Sequence, residues 1–326
     1  MRLSLLIPTL ALLSACNAQP DTSFLLIGSY ASAEEEGIKV YKFNQETADC
    51  EYVSGMSGIS NPSFLYPSHD GHFVYAVGED VAPDTPTANA LSFDKSNGTL
   101  SLINSQLNPG DAPCNIIVSP DGQWAYTSNY FGGNIDEYRI EKDGSLGPAR
   151  SIAFEGSSID TSQQFDLQIL PGVGPRHLCF SPSGNYAYLL GEISGDIVTI
   201  GYDIEGPSAF RMTQATKADT LNAGGSADIH VSPDGRFVYA SHRLVGDGIS
   251  IFKIHQADGS ISKVGYQNTG IHPRNFMITP NGKFLLVACR DSNVVEIYER
   301  DMKTGLLKDT GKKIEMSKPV CLQLID

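Results

Sequence analysis

The chain is short of positive charge. Its 326 residues hold 23 Lys and Arg against 37 Asp and Glu, a formal net charge of −14. A nucleic-acid partner needs a clustered basic face, so that class is excluded. A small anionic ligand is not, because a few converging arginines make a local positive pocket in an acidic protein. Metal and redox spacings are missing as well. There is no C-x-x-C pair, no EF-hand loop and no histidine cluster, so neither metal nor cofactor is expected. No G-x-S-x-G elbow marks a nucleophilic serine. Past residue 13, no apolar run is long enough to make a transmembrane helix.

The first residues read as a targeting segment. Arg2 is their only charge, and Leu3 to Leu13 form a short, mostly apolar run. Leu13-Ser14-Ala15-Cys16 matches a bacterial lipobox, in which Cys16 becomes the lipidated first residue. The expected division is a signal peptide over 1–15, the lipidated cysteine with a short tether over 16–23, and one domain over 24–326. Membrane contact is then through the lipid alone, and the protein sits in the cell envelope, periplasmic or outer-membrane associated. Five cysteines remain, Cys50, Cys114, Cys179, Cys289 and Cys321. Their odd number forbids complete internal pairing. Cys179 and Cys289 fall inside apolar strand patterns, where cysteine acts as a small buried hydrophobe.

What the chain does have is a repeated turn. It occurs at Pro67-Ser68-His69-Asp70-Gly71, Ser119-Pro120-Asp121-Gly122, Ser181-Pro182-Ser183-Gly184, Ser232-Pro233-Asp234-Gly235 and Thr279-Pro280-Asn281-Gly282. Asp-Gly and Asn-Gly tolerate positive φ and so suit hairpins. Apolar strands flank each turn, as in Phe276-Met277-Ile278 and Phe284-Leu285-Leu286-Val287. A third strand and a second turn, such as Asp143-Gly144 or Asp258-Gly259, lead to a fourth strand. Four antiparallel strands, repeated, make an all-β propeller. Phe24 to Ile27 reads as a strand that lacks its first turn, and Pro319 to Ile325 as its missing partner. Pairing of the two termini would close the ring. Six blades are countable, and a monomer is expected.

One interval is irregular. Gly71 to Gly122 and Gly184 to Gly235 are 51 residues each, and Gly235 to Gly282 is 47, but Gly122 to Gly184 is 62. The excess, around Ser158 to Val173, carries no hairpin signal. A ring broken there would widen the channel and move Arg176 and Glu192 away from their neighbours.

Propeller geometry puts the start of each first strand and the end of each second strand on one rim. Residues six before the turn proline should then face residues eight after the turn glycine. This pairs Ser63 with Glu79, Cys114 with Tyr130, Arg176 with Glu192, Ala227 with Arg243, Arg274 with Arg290, and Val320 with Tyr30. The rim collects Glu79, Glu192, Tyr30, Tyr130 and four arginines, Arg176, Arg243, Arg274 and Arg290. Converging guanidiniums bind carboxylates and phosphates at two points, although cross-hairpin ion pairs that merely close the channel use the same residues. His177 follows Arg176, but strand alternation sends it to another face. Asp228 and His230 share a face, where inter-blade hydrogen bonding is the plainer role.

These segments resemble a known family. Asn61-Pro62-Ser63, Gly174-Pro175-Arg176-His177, Ala227 to Gly235 and His272-Pro273-Arg274-Asn275 look like the seven-bladed lactonase family, named for 6-phosphogluconolactonase and including carboxy-muconate cyclases. The likeness runs from about Phe24 to Leu324. It implies one His, two Arg and one Glu on the channel rim, and by motif Arg176, Glu192 and Arg243 match the Arg, Glu and Arg. The family histidine lies in a Pro-His-x-His stretch that this sequence lacks, in a blade that would fall at the 62-residue interval. Asn115 also departs from the histidine that relatives often carry.

The resemblance implies hydrolysis of a small anionic sugar lactone. Water attacks the ester carbonyl, Arg176 or Arg243 stabilises the oxyanion, and Glu192 orients the water or acts as general base. Arg274 and Arg290 hold a phosphate or carboxylate, with His177, Glu79 and Tyr130 as further substrate contacts. Two alternatives stay open: a non-catalytic envelope propeller that binds a sugar acid or other small anion, and a structural or interaction propeller.

Overall fold

The computed structural model describes residues 22–81, 85–153, 172–202, 210–218 and 224–326. The lipobox and most of the 158–173 excess lie outside the described residues. Six four-stranded antiparallel sheets are present. Blade 1 joins Pro319–Ile325 to Thr22–Ser29, Ile38–Asn44 and Cys50–Met56. Blade 2 is Leu65–Pro67, Phe73–Gly78, Thr87–Asp94 and Thr99–Leu107. Blade 3 is Pro113–Val118, Trp124–Asn129, Asn134–Arg139 and Arg150–Ala153. Blade 4 is Pro175–Phe180, Tyr186–Gly191, Asp196–Tyr202 and Phe210–Lys217. Blade 5 is Ser226–Val231, Phe237–His242, Gly248–Ile254 and Ile261–Asn268. Blade 6 is Pro273–Ile278, Phe284–Cys289, Val294–Arg300 and Leu307–Glu315. The first strand in each blade lines the channel. The expected pairing of the termini is present, with Phe24 opposite Ile325 and Gly28 opposite Cys321. The first strand starts at Thr22, so the last two residues assigned to the tether belong to the sheet.

The turns form as their residues dictate. The five turn glycines have φ between 68° and 74°. In Ser119-Pro120-Asp121-Gly122 the Ser119 hydroxyl donates to Asp121 and accepts from the Trp124 amide. Ser232 does the same with Asp234 and Phe237.

The rim register departs from the expected one by two residues. The amides of Tyr30, Glu79, Tyr130, Glu192, Arg243 and Arg290 donate to the carbonyls of Lys318, Asn61, Ala112, Gly174, Gly225 and His272. Each acceptor is eight, not six, before the turn proline or its equivalent, and each has a left-handed backbone. The chain then bulges as it enters the strand. Pairing skips Val320, Cys114, Arg176, Ala227 with Asp228, and Arg274. A bulge adds one residue to one strand and re-aims side chains. Two of the expected pairs, Ser63 with Glu79 and Arg176 with Glu192, still meet by side chain although their backbones are out of register.

Apolar clusters cement the blades in sequence, joining 1 to 2, 2 to 3, 4 to 5, 5 to 6 and 6 to 1. Among the described residues no such cluster spans blades 3 and 4. The remaining cluster, Ala187, Val198 and Ile200, belongs to blade 4 alone. One repeat position shows the consequence. Two residues past each rim position, Leu65, Ile116, Ile229, Phe276 and Leu322 are at most 3% exposed, packed on the preceding blade. Their counterpart in blade 4, Leu178, is 48% exposed. Among the described residues, blades 3 and 4 therefore lack the apolar seam that the other neighbouring blades share.

Candidate active site

The inner strands surround a channel of about 1000 Å³. Arg176, His177, Glu192, Arg243, Arg274 and Glu79 lie on its wall, with Tyr30 and Tyr130. Strict alternation would bury either Arg176 or His177 elsewhere. The bulge at Arg176 breaks the alternation, so both face the channel.

Glu192 is the hub of the rim. Its Oε2 accepts from Arg176 Nη1 at 2.8 Å and its Oε1 from Arg243 Nη2 at 2.6 Å. Each arginine is also tied to backbone, Arg176 Nε to the Ala227 carbonyl and Arg243 Nε to the Gly225 carbonyl. Burial alone would raise the Glu192 pKa, but the charges and hydrogen bonds of Arg176 and Arg243 outweigh it and hold the carboxyl below its ordinary range. Arg243 is pushed down to about 10 by burial and by the nearby Arg176 and Arg274, and stays charged at neutral pH. Arg176 and Glu192 are therefore tied to blade 5, although among the described residues no apolar cluster joins their blade to blade 3.

A second group stands across the channel. Glu79 accepts from Tyr30 Oη at 2.9 Å and from Ser63 Oγ. Arg274 lies over the Tyr30 ring, 5.3 Å from its centroid, and 3.9 Å from Glu79. This long ion pair leaves guanidinium donors free for an anion. Burial pushes the Tyr30 phenol far up, so it stays a donor. Tyr130 is exposed at the mouth against Phe131.

Arg290 is placed differently from expectation. It is not on the channel wall: Asp291 holds it at two points, Nε at 2.6 Å and Nη2 at 3.0 Å. A short 3-10 turn after blade 6's second strand produces this geometry.

Two residues matter more than their sequence context suggests. His272, left-handed and buried, accepts from Arg243 Nη1 through Nε2 at 3.3 Å, and its Nδ1 is 3.3 Å from Asp291. Burial and the charges of Arg290 and Arg243 push it down to about 4, so it is neutral at pH 7. Asp228 is buried and accepts five hydrogen bonds, from His177 Nδ1, His230 Nε2, Asn275 Nδ2 and the amides of Ile229 and Phe276. It joins blades 4, 5 and 6 at one point. The only sequence signal for it was the two-residue spacing to His230.

Comparison with known proteins agrees with this architecture. A family model described as "Lactonase, 7-bladed beta-propeller" matches residues 24–166 and 160–324. The chain belongs to the seven-bladed β-propeller lactonase family. The match restarts at the 62-residue interval. A 6-phosphogluconolactonase of Formosa agariphila is 30% identical over 349 aligned positions, which cover 92% of this chain and 99% of the relative. As 92% of 326 residues is about 300, some 49 of those positions are filled only in the relative, about one blade. A candidate 6-phosphogluconolactonase of Bacteroides fragilis is 40% identical with a TM-score of 0.86, over 94% of this chain and 98% of that one. A periplasmic gluconolactonase of Pseudomonas aeruginosa is 25% identical with a TM-score of 0.84, over 94% and 99%. This lactonase-family chain thus carries six described blades where its family description has seven.

Proposed function

We propose that the protein hydrolyses a sugar-acid lactone, as its relatives named 6-phosphogluconolactonase do. One observation carries the reading: a single carboxylate, Glu192, holds two guanidiniums side by side on the wall of a channel large enough for a sugar. Hydrolysis builds negative charge on the lactone carbonyl oxygen, and preformed donors stabilise it without reorganisation. Arg176 and Arg243 supply those donors. Glu192 keeps both forks fixed and orients water. Its depressed pKa suits that role better than proton abstraction, which favours a base that titrates near the working pH. Arg274, beside Tyr30, takes the phosphate or carboxylate of the substrate. Glu79 and Tyr130 contact the sugar, while Arg290 contributes only field.

The test is turnover of gluconolactone and 6-phosphogluconolactone by the purified protein, corrected for spontaneous hydrolysis. Catalysed ring opening is expected. Two observations favour a second reading, a binding propeller without turnover: the missing Pro-His-x-His stretch and, among the described residues, the lack of an apolar cluster between blades 3 and 4. That reading predicts saturable binding of sugar acids and no rate above background.

For location, the proposal is lipid attachment at Cys16 in the cell envelope. The lipobox supports the lipid attachment, and the periplasmic name of one structural relative supports the envelope location alone.

A further inference from the structure

Lactone hydrolysis needs a proton acceptor for water, and the groups around the guanidiniums narrow the choice. Both Glu192 oxygens are occupied by arginines. Both His272 nitrogens face partners, Arg243 and Asp291. Asp228 is saturated by five donors. His230 has its Nε2 on Asp228 and its ring edge-on against Phe276, 4.8 Å between centroids, and it follows Ala227, to whose carbonyl Arg176 is bonded, by three residues along the strand, so it stands further from the guanidinium than the residue next to Arg176. His177 remains. It follows Arg176 directly, lines the channel and keeps part of its ring exposed.

His177 Nδ1 is 2.7 Å from Asp228 Oδ1. An ionised carboxylate only accepts, so Nδ1 carries a proton, and in the neutral ring the Nε2 lone pair is then free. Among the described residues no partner bonds Nε2. The Asp228 carboxylate is itself locked by Asn275 Nδ2 at 2.6 Å and by two backbone amides, so the ring orientation is fixed from behind.

We infer that His177, oriented by Asp228, is the general base of the reaction and then its general acid. This rests on the lactonase reading above. Nε2 takes a proton from water as the water oxygen bonds to the lactone carbonyl carbon. The carbonyl π electrons move to the oxygen held by Arg176 and Arg243. The tetrahedral intermediate collapses, the bond from carbonyl carbon to ring oxygen breaks, and the imidazolium returns its proton to that oxygen. One lactone and one water become one hydroxy acid. The imidazole comes from blade 4, so the reaction does not require the family's rim histidine or its missing blade.

The test uses the full-length protein and His177→Asn, whose amide still donates toward Asp228 but offers no basic nitrogen. A 10²- to 10⁴-fold loss of kcat is expected, with KM and the affinity for the hydroxy-acid product within about threefold of wild type. An Asn variant with kcat within threefold of wild type overturns the assignment. Nitrogen-15 NMR of the wild type gives an answer independent of turnover: Nδ1 protonated and Nε2 bare is expected, and the opposite tautomer overturns the dyad. A wild type with that tautomer but no turnover overturns the hydrolase reading and the base role together, while the Asp228–His177 pair stands.

Discussion

At the scale of single residues, the rim is a balance of charges on one carboxylate. Glu192→Gln keeps the shape but leaves Arg176 and Arg243 facing each other without the shared anion. Their forks should spread, and kcat/KM for the lactone should fall about 10²-fold or more with little change in Tm, read by steady-state kinetics beside a melting curve. The Asp228 cluster makes a different prediction. Burial would raise the Asp228 pKa, but the charges and hydrogen bonds of His230 and His177 drive it far below the usual carboxylate range. That stabilisation is present above the unfolded value of about 4 and is lost as pH falls further. His230 runs the other way. Burial would lower its pKa, but Asp228 outweighs burial and raises it. Its contribution is complete below about pH 6.5 and is lost as pH rises through the elevated folded value. A plot of Tm from pH 6 to pH 8 should therefore slope downward more steeply in wild type than in His230→Gln.

At the scale of the element, the turn that reveals the repeat also locks neighbouring blades. Arg300, in the third strand of blade 6, has a fully buried side chain. It donates to Asp234 at 2.7 Å, to the Gly282 carbonyl at 2.9 Å and to Tyr239 Oη at 2.9 Å. Asp234 is the turn aspartate of blade 5, so one residue makes both the hairpin and the junction. Asp234→Ala strands a buried guanidinium and should cost about 3 kcal/mol or more, whereas Arg300→Met removes the charge with the contact and should cost less; urea unfolding of both variants measures the difference. Such turns are legible because Ser-Pro-Asp-Gly has one good conformation. They were enough to count blades, close the termini and place Arg176, Glu192 and Arg243 on one rim. The rim backbone was not legible. Four of its six left-handed positions are Asn61, Ala112, His272 and Lys318, which carry no glycine signal. Hidden with them was the bulge that turns both Arg176 and His177 into the channel, so alternation misplaced His177. Arg290 failed for a local reason: its next residue, Asp291, outcompetes the channel for its guanidinium.

At the scale of the molecule, the chain enters and opens on opposite faces. The strand Thr22–Ser29 delivers Tyr30 to the mouth, so Thr22 lies about 26 Å away on the other face. Cys16 precedes Thr22 by six residues, a reach of at most about 20 Å. Lipid at Cys16 would therefore hold the opposite face to the membrane and leave the mouth in water. Cys16→Ser should move the protein from the membrane fraction to the soluble one with kcat unchanged. The ring itself is the other property of the whole. Leu65 and Leu178 occupy the same repeat position, but Leu65 is fully buried against blade 1 while Leu178 is half-exposed and in no apolar cluster of the described residues. Leu65→Ala removes core contacts and should cost about 2–5 kcal/mol. Leu178→Ala is the same chemical change at a half-exposed site, and should cost under about 1 kcal/mol. Urea unfolding of the two variants under one set of conditions compares them directly. Equal costs would mean that Leu178 is covered in solution and the ring is closed there. Unequal costs would mean that the family fold survives the loss of a blade as an open arc, held by five packed junctions and the paired termini, with its arginine pair on the blade that borders the opening.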